Sequence, residues 1–85
     1  MVRKEVIVQI PGGITDKAAV EIVRCATQFQ CKLFLCRNDC EISAKSLLGI
    51  LSMKIQEGDR VVLSAEGPDE LEAAEQLARC ISHNQ

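Results

Sequence analysis

The sequence predicts an α+β fold, an open-faced sandwich of order β-α-β-β-α-β-α with a four-stranded antiparallel sheet and three helices on one face. Three observations predict it. Four short runs alternate apolar with polar residues, the period of a half-buried strand. Other runs carry apolar residues at spacings of three and four, the period of an amphipathic helix. Glycine, proline, asparagine and aspartate fall between the runs, where turns are needed. Alternating strands leave one sheet face partly solvated, so helices are needed on the other face only. With 85 residues the chain is expected to be one domain, 1–85. A domain this small buries only about 60–65% of its unfolded surface, so its core is thin.

Each element follows in order. Val6, Val8 and Ile10 alternate with Glu5, Ile7 and Gln9, which predicts a strand with one buried face. Pro11, Gly12 and Gly13 end it. Thr15 is placed to N-cap a helix over about 16–28, and Asp16 complements the positive end of its dipole. Ala19, Ile22, Val23, Ala26 and either Phe29 or Gln30 form its apolar stripe. Lys32 to Arg37 reads as a strand, with Leu33 and Leu35 on one face and Phe34 and Cys36 on the other. Asn38-Asp39 tolerates positive φ and predicts a hairpin, with Cys40 to Ser43 returning. Ser46 caps a short helix over about 47–53. Gly58-Asp59 turns the chain into a strand at 60–66, whose Val61, Leu63 and Ala65 face inward. Gly67-Pro68 breaks that strand. Asp69 is expected to cap a last helix whose stripe is Leu71, Ala74, Leu77, Ala78 and Ile81.

Composition narrows the function. Nucleic-acid binders usually show a basic stripe or stacking aromatics. This chain has a net charge of −2 and only Phe29 and Phe34 as aromatics, so no nucleic-acid partner is expected. No apolar run approaches the roughly 20 residues of a membrane span. The N-terminus alternates and carries Glu5, a poor signal-peptide core, so a cytoplasmic protein is expected. The five cysteines, Cys25, Cys31, Cys36, Cys40 and Cys80, contain no CxxC, and His83 is the single histidine. That set does not supply a tetrahedral zinc site, and neither metal nor cofactor is expected. Reduced structural thiols are the first reading, with a regulatory thiol or disulfide as an alternative. Cys31 and Cys36 fall on opposite faces and are not expected to pair.

Residues 43–59, SAKSLLGILSMKIQEGD, join a Lys45-Ser46 pair to a short apolar helix containing Gly49, then Ser52 and a turn at Gly58. Together with the element order and the closing stretch SAEGPDELEAAEQLARCI, they resemble the HPr family, the phosphocarriers of the bacterial phosphoenolpyruvate–sugar phosphotransferase system. The resemblance spans nearly the whole chain and implies the fold stated above. Because a fold does not fix a function, the sites are weighed residue by residue.

The family's carrier site reads Gly-Leu/Ile-His-Ala-Arg-Pro-Ala. Here the matching residues are Gly13-Ile14-Thr15-Asp16-Lys17-Ala18-Ala19. Thr15 stands at the histidine position, Lys17 at the arginine position and Ala18 at the proline position. A carrier needs a nucleophile that accepts a phosphoryl group and releases it readily, as an imidazole nitrogen does. A threonine phosphate is an ordinary ester and a poor donor. Lys17 also lacks the planar fork that clamps phosphate bidentately. The stretch therefore reads as a former carrier site with no catalytic residue, in which Thr15 keeps a capping role. His83 is expected in a solvated tail, not as a displaced catalyst.

The resemblance implies another role for Ser46. In Gram-positive members of the family, and in a paralogue that also lacks the histidine, an ATP-dependent kinase phosphorylates the matching serine. The product then binds a transcriptional regulator as a corepressor. A serine N-cap sets its hydroxyl beside free backbone N–H groups, where a phosphate adds about −1.5 to −2 charges at a site favourable to anions. The bland alternative is a cap and nothing more. The resemblance also implies a docking patch of Leu47 and Leu48, with Leu51 at its margin, and the exposed face of the 16–28 helix with Lys17, Val20 and Arg24. A seven-residue helix cannot bury every side, and Ile50 and Met53 are available for its inner face. The expected protein is a non-catalytic, phosphorylation-switched regulator in carbon-source signalling. Its expected partners are an HPr kinase/phosphorylase-like enzyme and a transcriptional regulator of the catabolite-control type. A phosphoryl carrier and an unregulated interaction module are the alternatives. The changes at Asp16, Lys17 and Ala18 keep the latter open, because regulator-docking members usually retain the arginine.

Overall fold

The computed structural model describes residues 1–82, so His83 lies outside the described residues. The elements are β1 (Val2–Ile7), α1 (Asp16–Thr27), β2 (Lys32–Arg37), β3 (Cys40–Ser43), α2 (Leu47–Ser52), β4 (Arg60–Glu66) and α3 (Glu70–Ser82), in the order the sequence predicts. They form one sheet of order β1-β4-β2-β3, antiparallel throughout.

The register shows why one face is covered. Val6 pairs with Val61, Leu35 with Leu63 and Leu33 with Ala65. Those side chains share one face, because successive residues of a strand alternate. On the opposite face Val62 lies between Glu5 and Cys36, and Ser64 opposes Phe34. The first set packs with Ala19, Ile22 and Ala26 of α1, Ile50 of α2, and Ala73, Ala74, Leu77 and Ile81 of α3 in one buried cluster. The second face stays half-solvated. β1 stops at Ile7, yet Val8 and Ile10 continue its buried alternation into the loop. The Asn38-Asp39 turn places Asn38 at φ +57°, a conformation that asparagine tolerates.

Two expectations about α3 are corrected. Leu71, expected in the stripe, is 68% exposed, and Ala73 is buried instead. The adjacent pair Ala73 and Ala74 is small enough for both to lie against the core, which turns Leu71 to the rim of the buried face. Asp69, expected as the side-chain cap of α3, caps only through its carbonyl, which accepts from the Ala73 N–H at 2.9 Å. Its carboxylate reaches away, accepting from the Gln30 N–H at 2.9 Å and the Cys31 N–H at 3.0 Å. It thereby fastens the connection between α1 and β2 to the start of α3. The Gly67 N–H is satisfied by Glu70 Oε1 at 3.0 Å.

The Gln30 and Cys31 donors hold the Asp69 carboxyl below its ordinary range. A depressed carboxylate contributes stability above its unfolded pKa and loses it as pH falls through its folded pKa. Asp69→Ala is therefore expected to melt below the wild type at pH 7. The gap is expected to narrow as the pH falls below about 4, the unfolded range of aspartate. Melting curves from pH 7 to pH 2 check this. A gap that is constant across that range would show that the ionised carboxylate is not what holds the loop.

Candidate functional site

The opening turn is built by Gly13. Its φ of +82° is left-handed, and a Cβ there would stand 2.6 Å from the Ile55 carbonyl oxygen. Only glycine fits both conditions. The Gly13 N–H donates to the Ile10 carbonyl at 2.8 Å, and the Ile14 N–H to that of Ile55 at 3.0 Å. These bonds deliver Thr15 to the start of α1 in an extended conformation. Its Oγ1 accepts from the Ala18 N–H at 3.4 Å. Thr15, Asp16 and Lys17 are all exposed. Among the described residues, the site thus presents a hydroxyl engaged as a cap, a carboxylate and an ammonium, and no imidazole.

Ser46 heads α2 in the same manner. Its Oγ accepts from the Gly49 N–H at 3.1 Å, and its carbonyl from the Ile50 N–H at 3.1 Å. Gly49 has a steric role. A Cβ there would lie 3.1 Å from Ser46 Oγ and 3.3 Å from Ile42 Cβ, so glycine lets α2 settle against β3 and leaves the hydroxyl room. Ser46 is partly exposed. Ile50 and Met53 face the core, and Leu51 is half-buried. Leu48 is 81% exposed and Leu47 38%. α1 packs beside α2 and brings Val20, 42% exposed, to the same region. Lys17, Val20 and Arg24 are exposed at helical spacings of three and four, so they share a face.

The structure adds supports that the sequence did not single out. Arg37, at the end of β2, donates through Nη1 to Asp59 Oδ2 at 2.7 Å and to the Lys54 carbonyl at 3.3 Å. Its Nη2 donates to the Met53 carbonyl. One guanidinium therefore satisfies carbonyls at the C-terminal end of α2 and pins that helix to the sheet. Asp59 also accepts from the Gln56 N–H at 2.8 Å. That bond, then Arg37, holds its carboxyl below the ordinary range. Lys45 Nζ donates to the Phe29 carbonyl at 2.8 Å, just past the end of α1. The lysine beside Ser46 is thus occupied in tying α2 to α1. Arg37 ends a strand and Lys45 precedes the N-terminus of α2, so no local pattern points to these roles, and their partners lie 16 or more residues away. Among the described residues, no cluster of three His, Cys, Asp or Glu side chains could hold a metal ion, and no helix is long and apolar enough to cross a membrane.

A β-α-β-β-α-β-α sandwich with a glycine-built turn ahead of α1 and a serine-capped short helix defines a phosphocarrier-type domain. The chain belongs to the HPr family: the family described as "PTS HPr component phosphorylation site" matches residues 2–83. It is 36% identical over 78 residues to the HPr-like protein Crh of Bacillus subtilis, covering 92% of each chain. It is 35% identical over 79 residues to the phosphocarrier protein HPr of Treponema pallidum, covering 93% of this chain and 90% of the relative. Its fold superposes on the crystal structure of a phosphocarrier protein HPr from Bacillus anthracis with a TM-score of 0.92, at 32% identity, covering 95% of this chain and 96% of the other. Regulatory and carrier relatives thus match almost equally well, and the residues of the sites must separate the two roles.

Proposed function

We propose that this chain is a non-catalytic, cytoplasmic regulator of carbon-source signalling, switched by phosphorylation of Ser46. The observation that carries the reading is the juxtaposition at α2. A partly exposed serine hydroxyl caps the helix at 3.1 Å from the Gly49 N–H, directly before the exposed Leu47 and Leu48. A phosphate on Ser46 meets the positive end of α2, an effect of about 0.3–1 kcal/mol for an exposed group. That is small beside the roughly 5–15 kcal/mol of a folded domain. The fold is left as it is, while the surface changes from a neutral hydroxyl to a near-dianion beside two leucines.

The partners follow from that surface. An HPr kinase/phosphorylase-like enzyme would modify Ser46. A transcriptional regulator of the catabolite-control type would seat Leu47 and Leu48 in an apolar groove and meet the phosphate with arginine or lysine. Charge-assisted hydrogen bonds of that kind form only with the modified protein. Lys17, Val20 and Arg24 would extend the contact along α1, with Leu51 at its margin. A partner with an acidic rim would be repelled by the same phosphate, so one modification exchanges partners without a conformational change.

The test is treatment with ATP and the HPr kinase, comparing the wild type with Ser46→Ala. One phosphate is expected on the wild type and none on the variant. If the wild type stays unmodified where a genuine HPr is fully modified, the switch is wrong and an unregulated interaction module takes its place. The divergence at Asp16 and Lys17 would then be the leading feature.

A further inference from the structure

β1 is one edge of the sheet and β3 the other. A sheet edge carries unpaired backbone N–H and C=O groups, a template for a further strand. The β3 edge is four residues long, and α2 packs beside it. The β1 edge is six residues long and opens onto a groove whose walls include Lys4, Glu5, Glu75 and Arg79.

Which backbone groups face that opening follows from Val8, just past the end of β1. The Val8 N–H donates to the Asp59 carbonyl at 2.8 Å, and the Val8 carbonyl accepts from the Gly58 N–H at 2.8 Å. Val8 thus turns its backbone toward β4. Successive residues of a strand alternate in this respect, so Val6, Lys4 and Val2 also face β4, while Arg3, Glu5 and Ile7 face the open edge. The side chains of Arg3 and Glu5 share the sheet face that the helices leave uncovered, opposite Ser64 and Val62. Arg3, Lys4 and Glu5 are all exposed. Among the described residues, ion pairs join Met1 to Glu70 and Arg37 to Asp59, so these three, Glu75 and Arg79 have no ionic partner.

We propose that the β1 edge is a homodimer interface, at which β1 of a second copy adds antiparallel and joins the two sheets. Charge fixes the register. Residues must both face the open edge to exchange hydrogen bonds, so odd-numbered residues stand opposite odd-numbered ones. With Arg3 opposite Arg3, or Glu5 opposite Glu5, like charges meet. With Arg3 opposite Glu5 of the second copy, an ion pair forms on each side of a two-fold axis, and each pair exchanges both of its N–H···O bonds. Opposite charges across strands support pairing, and like charges oppose it. The same axis sets Val2 opposite Val6 of the second copy on the covered face. Lys4 meets its own copy across the axis, and Glu75, in the same groove, supplies a compensating carboxylate. The axis also runs the two α3 helices antiparallel, which turns Glu75 of each toward Arg79 of the other.

A run of charges on an edge strand ordinarily guards against pairing. Here Arg3-Lys4-Glu5 disfavours the neighbouring registers and favours one, which selects a closed two-fold dimer over open-ended addition. The interface lies at the edge of the sheet opposite to α2, so Ser46 and Leu48 stay accessible and the inference does not rest on the signalling role.

The experiment is sedimentation velocity on the full reduced chain, from about 10 μM to about 1 mM, the range of a weak interface. The wild type is expected to pass from monomer to dimer over that range. Arg3→Glu and Glu5→Arg each turn the attractive cross-strand pairs into repulsive ones, and each is expected to weaken dimerisation at least about tenfold. Mixing the two variants is expected to give a heterodimer about as tight as the wild type, because the carboxylates of one strand then face the guanidinium groups of the other. Recovery on mixing also shows that each variant is folded. Hydrogen exchange at high concentration is expected to protect the Arg3 and Glu5 amides of the wild type, and to leave them fast in either variant alone. A wild type that stays monomeric at about 1 mM would overturn the proposal. So would a dimer unchanged by Arg3→Glu and Glu5→Arg. That is the result of exchanging whole β1 strands between copies, since β1 would then keep its register on β4, with Arg3 against Ser64 and Glu5 against Val62. A dimer whose Arg3 and Glu5 amides exchange as fast as those of the monomer would rule it out as well.

Discussion

Phosphoenolpyruvate and enzyme I of a sugar phosphotransferase system are expected to leave this chain without an acid-labile phosphoryl group. The reason lies in three adjacent positions. The resemblance to the family's carrier motif puts Thr15 at the histidine position, and its hydroxyl is engaged as the cap of α1, 3.4 Å from the Ala18 N–H. Its phosphate would be an ester, which could be formed but hardly passed on. Asp16, exposed at the next position, sets a negative charge beside the path of an incoming phosphoanion. Like charges about 4 Å apart repel by ~1 kcal/mol in bulk water and ~4 kcal/mol at an effective dielectric of 20. On a transfer barrier that is a loss of about fivefold to nearly a thousandfold. Lys17 retains a positive charge but not the bidentate geometry of an arginine. Thr15→His alone is therefore expected to recover little transfer, since it supplies the nucleophile and leaves both neighbours in place. Radiolabelled phosphoenolpyruvate and an acid-lability assay read both proteins. A stoichiometric heat-labile adduct on the wild type would return the chain to the carriers. Full transfer by Thr15→His would show that Asp16 and Lys17 matter little.

The sequence showed the elements well because each boundary carries its own local cause. Asn38 and Gly58 adopt the positive φ that their turns need, and β2, β3 and β4 begin and end where the flanking turns place them. The same holds for the two caps, since Thr15 and Ser46 each bond an N–H three residues ahead. What escaped is what depends on distant chain segments. Asp69 looks like a cap from its neighbours, but its carboxylate serves Gln30 and Cys31. Arg37 looks like the polar end of a strand, but it closes the C-terminal end of α2. Leu71 fits the apolar spacing of α3 and is left exposed, because the rotation of that helix is set by the fit of Ala73 and Ala74.

Leu48→Asp is expected to abolish binding to the regulator while leaving the fold intact. The two effects separate because residues two apart on α2 point to opposite sides of the helix. Leu48 is 81% exposed, and Ile50 is fully buried. A surface change away from caps and core usually shifts stability by no more than about 0.5 kcal/mol. An apolar anchor at the centre of an interface costs about 2 kcal/mol or more when lost, roughly a 30-fold weakening. Aspartate adds to that loss, because it places a carboxylate in an apolar groove and beside the phosphate on Ser46. Ile50→Ala is the contrasting control. It removes buried volume and is expected to cost about 2–5 kcal/mol, much of the stability of a small domain. Any loss of binding in Ile50→Ala should therefore come with a lowered melting temperature. Titration of Ser46-phosphorylated proteins against the regulator, with thermal melts alongside, distinguishes the two. If Leu48→Asp binds within about threefold of the wild type, a shift of about 0.7 kcal/mol, the α2 leucines are not the docking anchor. The exposed face of α1 with Lys17, Val20 and Arg24 would then have to carry the contact.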